Sequence, residues 1–266
     1  MKIIPIASGS TGNSVFVEIA GYGILIDVGV SGRCINSALT KNGLSFGSID
    51  AVLITHSHID HVKYIDLLKS KIPAPVYMST ETKLSLCFLN GIDLQYCIKT
   101  EIKPGLFITA FRTSHDCFGS SGFLIETEDE KLGYLTDLGV FPQETLEAFF
   151  GVNVMVIESN HDIMMLKNGR YPVSLKRRIL SEKGHLSNEA CGEAVQTLES
   201  HGTHHFMLAH LSRENNIPEL ALKTVSGYIK EKNTTIDVLH PKSSTMHVFG
   251  EEAGQSTEQM SLFCGS

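Results

Sequence analysis

Eight residues, Ile54-Thr55-His56-Ser57-His58-Ile59-Asp60-His61, constrain this chain more than any other stretch, because they crowd three imidazoles and a carboxylate together. The apolar run Ala51-Val52-Leu53-Ile54 leading into them reads as a buried strand, and Val62-Lys63-Tyr64-Ile65-Asp66-Leu67-Leu68 after them reads as a helix. A strand-to-helix turn lets side chains converge on one point instead of alternating across a sheet. Neutral imidazoles this close repel once protonated, and burying them without partners is costly. A metal ion removes both difficulties by taking the ring nitrogens as ligands. The competing reading of the same residues is a solvated, histidine-rich turn.

The rest of the chain repeats the event. Ile108 to Ser114 reads as a strand ending in His115-Asp116, and the hairpin of Gly122 to Thr127 with Lys131 to Thr136 ends at Asp137. The buried run Val152 to Ile157 ends at Glu158, and His205 to Ala209 ends at His210. A lone Asp after a strand is usually a helix cap, and a lone His is usually packed in a core. Five such strand ends in one chain are a stronger signal, since ligands gather beyond strand ends in layered α/β folds.

Between these points, strands are expected at Ile3 to Ile6, Val15 to Ile19 and from Tyr22, the last two joined by a turn at Gly21. Pro75 to Met78 reads as a further strand, as do Ile236 to Leu239 and Met246 to Phe249. Helices are expected from Ser31 to Asn42-Gly43, from Thr80 to Asn90 closed by Gly91, from Ser187 or Asn188 to Ser200, and from Pro218 to Glu231. The small-residue loop Ala7 to Ser14 lacks the lysine of a phosphate-binding P-loop and no helix follows, so it reads as a tight turn near the site. No linker divides the chain. Residues 1–250 therefore read as one domain and 251–266 as a loose, polar tail.

With 266 residues and 42% hydrophobic side chains, a sizeable core is within reach. No apolar run is long enough to span a bilayer and no basic-then-apolar leader opens the chain, so the expectation is a cytoplasmic protein without a membrane partner. Six cysteines without CxxC spacing are expected to be reduced and mostly buried, with Cys117 packed beside the site instead of ligating. The formal charge of −7 argues against a general nucleic-acid coat protein. It leaves a nuclease open, because bound divalent cations add positive charge that the count omits.

His56-x-His58-x-Asp60-His61, followed in order by His115, Asp137 and His210, resembles the metallo-β-lactamase superfamily. The resemblance implies an α/β fold, a four-layered αβ/βα sandwich of two mixed β-sheets flanked by helices, with metal at the strand ends. Position by position, His56, His58 and His115 correspond to ligands of a first ion, and Asp60, His61 and His210 to ligands of a second. Asp137 corresponds to the carboxylate bridging both, and Asp60 also to the group that holds the attacking water. The implied cofactor is two divalent ions, zinc or manganese, with iron also compatible. Such a pair acidifies a bridging water and braces the oxygens of an in-line displacement, which suits phosphodiesters and also lactones, thioesters and β-lactams.

Three further stretches narrow the reading. Gly184-His185-Leu186-Ser187 resembles a Gly-His-Ser-Thr segment of RNase Z, the transfer-RNA 3′-processing nuclease, and Glu158 falls where that family keeps a glutamate. The resemblance makes His185 a general acid with Glu158 its orienter; the alternative is a helix-entry turn and a plain salt bridge. His210-Leu211-Ser212-Arg213-Glu214-Asn215 resembles the HxSxRY-like segment of the same family, which singles out Ser212, Arg213 and Asn215 as substrate-binding candidates. Arg112, Arg170, Arg177 and Arg178 join Arg213 as candidate phosphate contacts. Nothing here matches the long transfer-RNA-gripping arm of RNase Z or the inserted domain of β-CASP nucleases. Length, the Ser8-to-Ser14 opening and the His-Leu-Ser-x-Glu-Asn segment more closely resemble the YycJ/WalJ-type branch, which implies a 5′→3′ exonuclease with DNA as partner. The alternatives are a small-molecule hydrolase of the same fold, acting on a cyclic phosphodiester, lactone or thioester, and a non-catalytic metal-containing binding protein. Oligomeric state is left open by the sequence.

Overall fold

Alternating and continuous apolar runs divide the chain into two sets of strands that follow one plan. The computed structural model describes residues 1–66, 70–239 and 244–250. The first set is β1 (Lys2–Ala7), β2 (Ser14–Ile19), β3 (Tyr22–Ile26), β4 (Ala51–Leu53), β5 (Val76–Ser79) and β6 (Ile92–Leu94). β1, β2 and β3 pair antiparallel, and β3 to β6 then run parallel. The second set is β7 (Thr100–Lys103), β8 (Leu106–Arg112), β9 (Ser121–Glu126), β10 (Lys131–Leu135), β11 (Val154–Glu158), β12 (His205–Ala209) and β13 (Thr235–Val238). Here β7 to β10 are antiparallel and β10 to β13 parallel. β14 (His247–Val248) returns to the outer edge of β1. Among the described residues each sheet thus has seven strands, in the orders β14-β1-β2-β3-β4-β5-β6 and β13-β12-β11-β10-β9-β8-β7.

Antiparallel neighbours need only tight turns. Ala20 and Gly21, with φ of 47° and 81°, make the two-residue turn between β2 and β3. Parallel neighbours need crossovers, and the helices supply several of them. They are α1 (Gly32–Lys41), α2 (Ile59–Val62), α3 (Thr80–Leu86), α4 (Gln143–Glu147), α5 (Ile163–Asn168), α6 (Val173–Ile179), α7 (Asn188–Ser200) and α8 (Pro218–Ser226). Ser31 caps α1 through the Cys34 amide, and Ser187 caps α7 through the Ala190 amide.

Three apolar clusters set the layers. Ile3, Val17, Ile24 and Leu53 of the first sheet meet Ile108, Phe123, Tyr134 and Val156 of the second in the central interior. Phe16, Leu25, Val52 and Met78 on the other face of the first sheet bury Ile35 and Leu39 of α1. Leu135, Met155, Ile157 and Phe206 do the same for Val195 and Leu198 of α7 and Val225 of α8. Burying each such side chain contributes roughly 1.5–3 kcal/mol. The result is helix, sheet, sheet, helix, the four-layered αβ/βα sandwich expected. β11 is buried on both faces, which is why its sequence runs continuously apolar.

Some expectations change. α3 stops at Leu86 because Cys87 turns left-handed with φ 50°, and α8 stops at Ser226, before Gly227. The basic segment Lys176-Arg177-Arg178, unassigned by the sequence, is the end of α6. The cysteines are free but not mostly buried: of the five described, only Cys191 is buried, while Cys34, Cys87 and Cys97 are exposed. Cys34 sits on the outer face of α1, and Cys87 and Cys97 occupy left-handed corners on the surface. The helix expected through Leu67-Leu68 and the tail at 251–266 lie, in whole or part, outside the described residues.

Candidate active site

The strand ends at one edge of both sheets deliver the polar residues. β3 leads to Asp27, β4 to His56 and His58, and α2 carries Asp60 and His61. From the second sheet, β8 leads to His115, β10 to Asp137, β11 ends in Glu158 and β12 leads to His210. Asp27, Asp137 and His210 have φ of 60°, 59° and 57°. Left-handed backbone at a non-glycine residue costs of order 1–3 kcal/mol and persists where the surroundings over-determine it. Such positions gather at functional sites, and three of them fall within this one cluster.

Close backbone packing holds the first-sheet loops together. Asn13 N donates to Asp60 O at 2.8 Å, and Gly29 N to Asn13 O at 2.9 Å. A Cβ on Gly29 would lie 1.7 Å from Asp60 O, so only glycine fits. Asn13 Nδ2 lies 3.2 Å from Asp60 Oδ2, which places the small-residue loop beside the site as expected.

The donor atoms fall into overlapping groups, each within 4.8 Å: His56, His58 and His115; Asp60, His61 and His210; and Asp137 with His56 and His61. Asp137 also groups with Glu158, His185 and His210. Its Oδ2 lies 3.3 Å from His61 Nε2 and its Oδ1 3.8 Å from His115 Nε2, so one carboxylate touches both trios. All seven residues expected as ligands are therefore gathered at one place. His56 Nε2, Asp137 Oδ2 and His210 Nε2 are buried with no hydrogen-bond partner. Leaving such atoms unsatisfied costs about 1–3 kcal/mol each. Convergent, otherwise unpaired imidazole and carboxylate donors fit divalent cations.

Neighbouring groups fix the ring orientations. Asp27 accepts from the Thr55 amide and hydroxyl, both at 2.8 Å, and from His61 Nδ1 at 2.7 Å. Since the Thr55 hydroxyl proton goes to Asp27, Thr55 Oγ1 accepts from His56 Nδ1 at 3.0 Å. His115 Nδ1 donates to Gly184 O at 3.2 Å. In each case Nε2 is left for the centre. Asp27 was missed by the sequence reading, although the run Tyr22 to Ile26 ending in an acid shows the same strand-end pattern as the residues it singled out.

Glu158 is the second organiser. Fully buried, it accepts at Oε1 from His185 Nδ1 at 2.9 Å and His210 Nδ1 at 2.7 Å. At Oε2 it accepts from the amides of Leu138 and Leu186 at 3.0 and 3.2 Å. Burial alone would push its carboxyl up, but the His185 charge and hydrogen bond, then His210, hold it well below the usual range. Burial likewise opposes charge on His210, and Asp137, Asp60 and Glu158 overcome it and raise that ring well above its ordinary value. His56, by contrast, is pushed far down by burial and then by His61 and His115. For His61, burial pulls down while Asp137, Asp27 and Asp60 together bring it up to about 9. Asp60 resists the upward pull of burial through His210 and His61 and stays ionised.

The cleft over these groups has a volume of 240 Å³ and is lined also by Ser10, Tyr171, Arg178, Lys183 and Ser212. Ser212 is thus where a substrate contact was expected. Asn215 is buried behind it, its amide and Nδ2 donating to Ser212 Oγ at 3.2 and 3.4 Å. Arg213 is exposed and faces a neighbouring cleft. Arg178 pairs with Asp116, whose Oδ1 lies 3.5 Å from His115 Nε2 and 3.9 Å from His58 Nε2. Arg112 instead pairs with Glu81 at 2.6 Å and covers the Tyr96 ring, and Arg170 and Arg177 do not line the cleft. Cys117 Sγ rests 3.3 Å from Ser57 Oγ, beside the histidines. The sequence reading passed over Asp116 and Lys183; only the adjacency of Asp116 to His115 could have flagged either.

A family model described as a beta-lactamase superfamily domain matches residues 22–211. The chain is 35% identical over 233 residues to exodeoxyribonuclease YycJ of Bacillus anthracis, covering 85% of this chain and 88% of that one. It is 33% identical over 241 residues to exodeoxyribonuclease WalJ of Streptococcus pneumoniae, covering 88% and 90%. Among solved structures, the metallo-β-lactamase fold protein YhfI from Bacillus subtilis superposes with a TM-score of 0.71 at 16% identity, covering 92% of this chain and 98% of that one. With its donor cluster at the shared edge of two mixed sheets, the chain belongs to the beta-lactamase superfamily of metal-dependent hydrolases, in the branch of YycJ and WalJ.

Proposed function

We propose that the chain is a dinuclear metal-dependent nuclease that removes nucleotides from the 5′ end of DNA. The observation that carries the proposal is the Glu158 carboxylate shared between His185 Nδ1 and His210 Nδ1. In this reading His56, His58 and His115 would hold one ion, Asp60, His61 and His210 another, and Asp137 both. Two divalent ions, zinc or manganese, would supply water activation and neutralisation of charge on the phosphate.

The chain's own groups do the rest. An ionised Glu158 only accepts hydrogen bonds, so it fixes the proton of His185 on Nδ1 and supports a second proton on Nε2. The His185 side chain is 21% exposed at the cleft, so that second proton can reach a leaving oxygen. An alkoxide leaving from a phosphodiester needs such a donor far more than the leaving group of a thioester or lactone. His210 is turned by the same carboxylate so that its Nε2 points at the centre, 3.8 Å from Asp60 Oδ2. Asp60, kept ionised, accepts a proton from the attacking water. Arg178, Lys183 and Ser212 line the cleft with phosphate-binding groups.

The exodeoxyribonuclease activity for which YycJ and WalJ are named supports exonuclease action and DNA as substrate. Among the described residues no helix is long and apolar enough to cross a membrane. We take the site to work in the cytoplasm, within one domain of residues 1–250. The test is purified protein with Mn²⁺ on single-stranded DNA carrying either a 5′ or a 3′ label. Mononucleotides released at once from the 5′ label, with a shrinking ladder from the 3′ label, are expected, and RNA of the same sequence should turn over more slowly. No cleavage of either strand with metal bound, or efficient turnover of a lactone or thioester instead, overturns the reading.

A further inference from the structure

A second cleft adjoins the first across one thin wall. Ser10 and Ser212 line the catalytic cleft, and their immediate neighbours Thr11 and Arg213 line the second, which has a volume of 480 Å³. The wall is firmly laced. His210 N donates to Ser8 Oγ and Gly9 N to Asn13 Oδ1, both at 2.8 Å, and a Cβ on Gly9 would come within 3.2 Å of Leu211 O. The two openings are therefore held in a fixed relation.

The lining of the second cleft is unusual for a chain of net charge −7. Among the described residues, three cations, Arg33, Lys41 and Arg213, line it and no carboxylate does. Among the described residues, no ion pair engages Arg33 or Arg213, and Lys41 Nζ reaches only Ser244 Oγ at 3.5 Å. Arg33, Ser37 and Lys41 repeat every four residues and so form one face of α1, the helix whose N-terminal turn also lines the cleft. Exposed cations ordinarily find acidic neighbours or scatter over a surface. Here they are gathered on a concave face beside a phosphate-cleaving site, with Ile6, Ala7 and Val30 as an apolar floor.

Resting on the nuclease reading, we propose that this cleft is a backbone-phosphate subsite for the substrate strand, one that grips nucleic acid away from the bond being cut. Guanidinium and ammonium groups bind phosphate oxygens, and the apolar floor accommodates a sugar or base face. The phosphate can be the terminal 5′ group or an internal one, and the test separates them.

The probe is a 3′-labelled phosphorothioate 12-mer of single-stranded DNA, with either a 5′ phosphate or a 5′ hydroxyl, titrated by anisotropy against metal-loaded protein. Arg33→Gln combined with Lys41→Gln is expected to raise Kd about tenfold and to flatten the log Kd against log salt slope by about 1.4. Arg33→Glu alone, a charge reversal at an exposed position, should raise Kd at least as much. Loss of two distant cations, Lys223→Gln with Lys232→Gln, should change Kd less than twofold. A rise confined to the 5′-phosphorylated strand identifies the terminal phosphate, and a rise for both strands identifies an internal one. Kd unchanged in the site variants, an equal effect in the distant control, or a wild type that does not bind the strand overturns the inference. A wild type that binds the strand but never cuts DNA overturns the nuclease reading alone.

Discussion

The two sheets are built alike but furnish the site differently. The first supplies its four donors, His56, His58, Asp60 and His61, from one short stretch running from the end of β4 into α2. The second supplies His115, Asp137, Glu158 and His210 from four separate strand ends, and His185 from the loop between α6 and α7. The orienting groups divide the same way. Asp27 and Thr55 of the first half hold His61 and His56, whereas Glu158 of the second half holds both His185 and His210. A compact donor set leaves the fold only the task of burying one turn. A dispersed set makes the fold itself the ligand arrangement, and two of the three strained backbones, at Asp137 and His210, lie on that side. In the proposed mechanism the first half would gather its ligands in one stretch of chain, and the second would join its own ligands, through Glu158, to the proton donor His185.

The largest effect should come where the halves meet. Asp137→Ala removes the one carboxylate that touches both trios, and a loss of roughly 10⁴-fold in cleavage together with loss of bound metal is expected. Single-turnover kinetics and elemental analysis check it; activity within tenfold of wild type means the halves act separately. Glu158→Gln, which withdraws the charge from both His185 and His210, should cost roughly 10²-fold in kcat. Metal content measured in parallel should fall much less than in Asp137→Ala.

Asp27→Asn tests the first half in isolation. Weakening the partner of a ligating histidine ordinarily costs 10–100-fold in metal affinity. At saturating metal, kcat should then recover to within tenfold, which competition with a fluorescent chelator and a metal titration of activity would show. The smallest effect concerns protons. His61 titrates at about 9, so at pH 7 it carries a proton that an incoming ion must expel. Adding zinc to chelator-stripped protein in weak buffer should release acid, and metal affinity should rise with pH between 7 and 9. Uptake of protons, or affinity flat across that range, contradicts the arrangement.

The asymmetry also explains what could be read from the sequence. His56 to His61 announces itself because its spacing is local, and β11 and β12 are legible because their apolar runs end sharply at Glu158 and His210. The order of His115, Asp137 and His210 along the chain completes a recognisable set. Asp27 escaped although it ends a strand run, because it meets His61 only after folding brings β3 beside β4, and Asp116 escaped because adjacency to a histidine does not by itself assign a role. Lys183 escaped, and Arg178 was named only alongside arginines that do not line the cleft, because a cation in a basic segment looks alike whether it faces a cleft or open water. The cysteines misled for a related reason: apolar character favours burial, but the left-handed corners at Cys87 and Cys97 place them outside.

The central claim is that the Glu158–His185 pair turns a general metal hydrolase into one for phosphodiesters. It is tested most directly by kcat of wild type and His185→Ala on two substrates, single-stranded DNA and a nucleotide p-nitrophenyl ester. The ester's leaving group departs without a proton. The account predicts a loss of about 10²-fold or more on DNA and of less than tenfold on the ester. Equal losses on both substrates, or full activity of the variant on DNA, would contradict it.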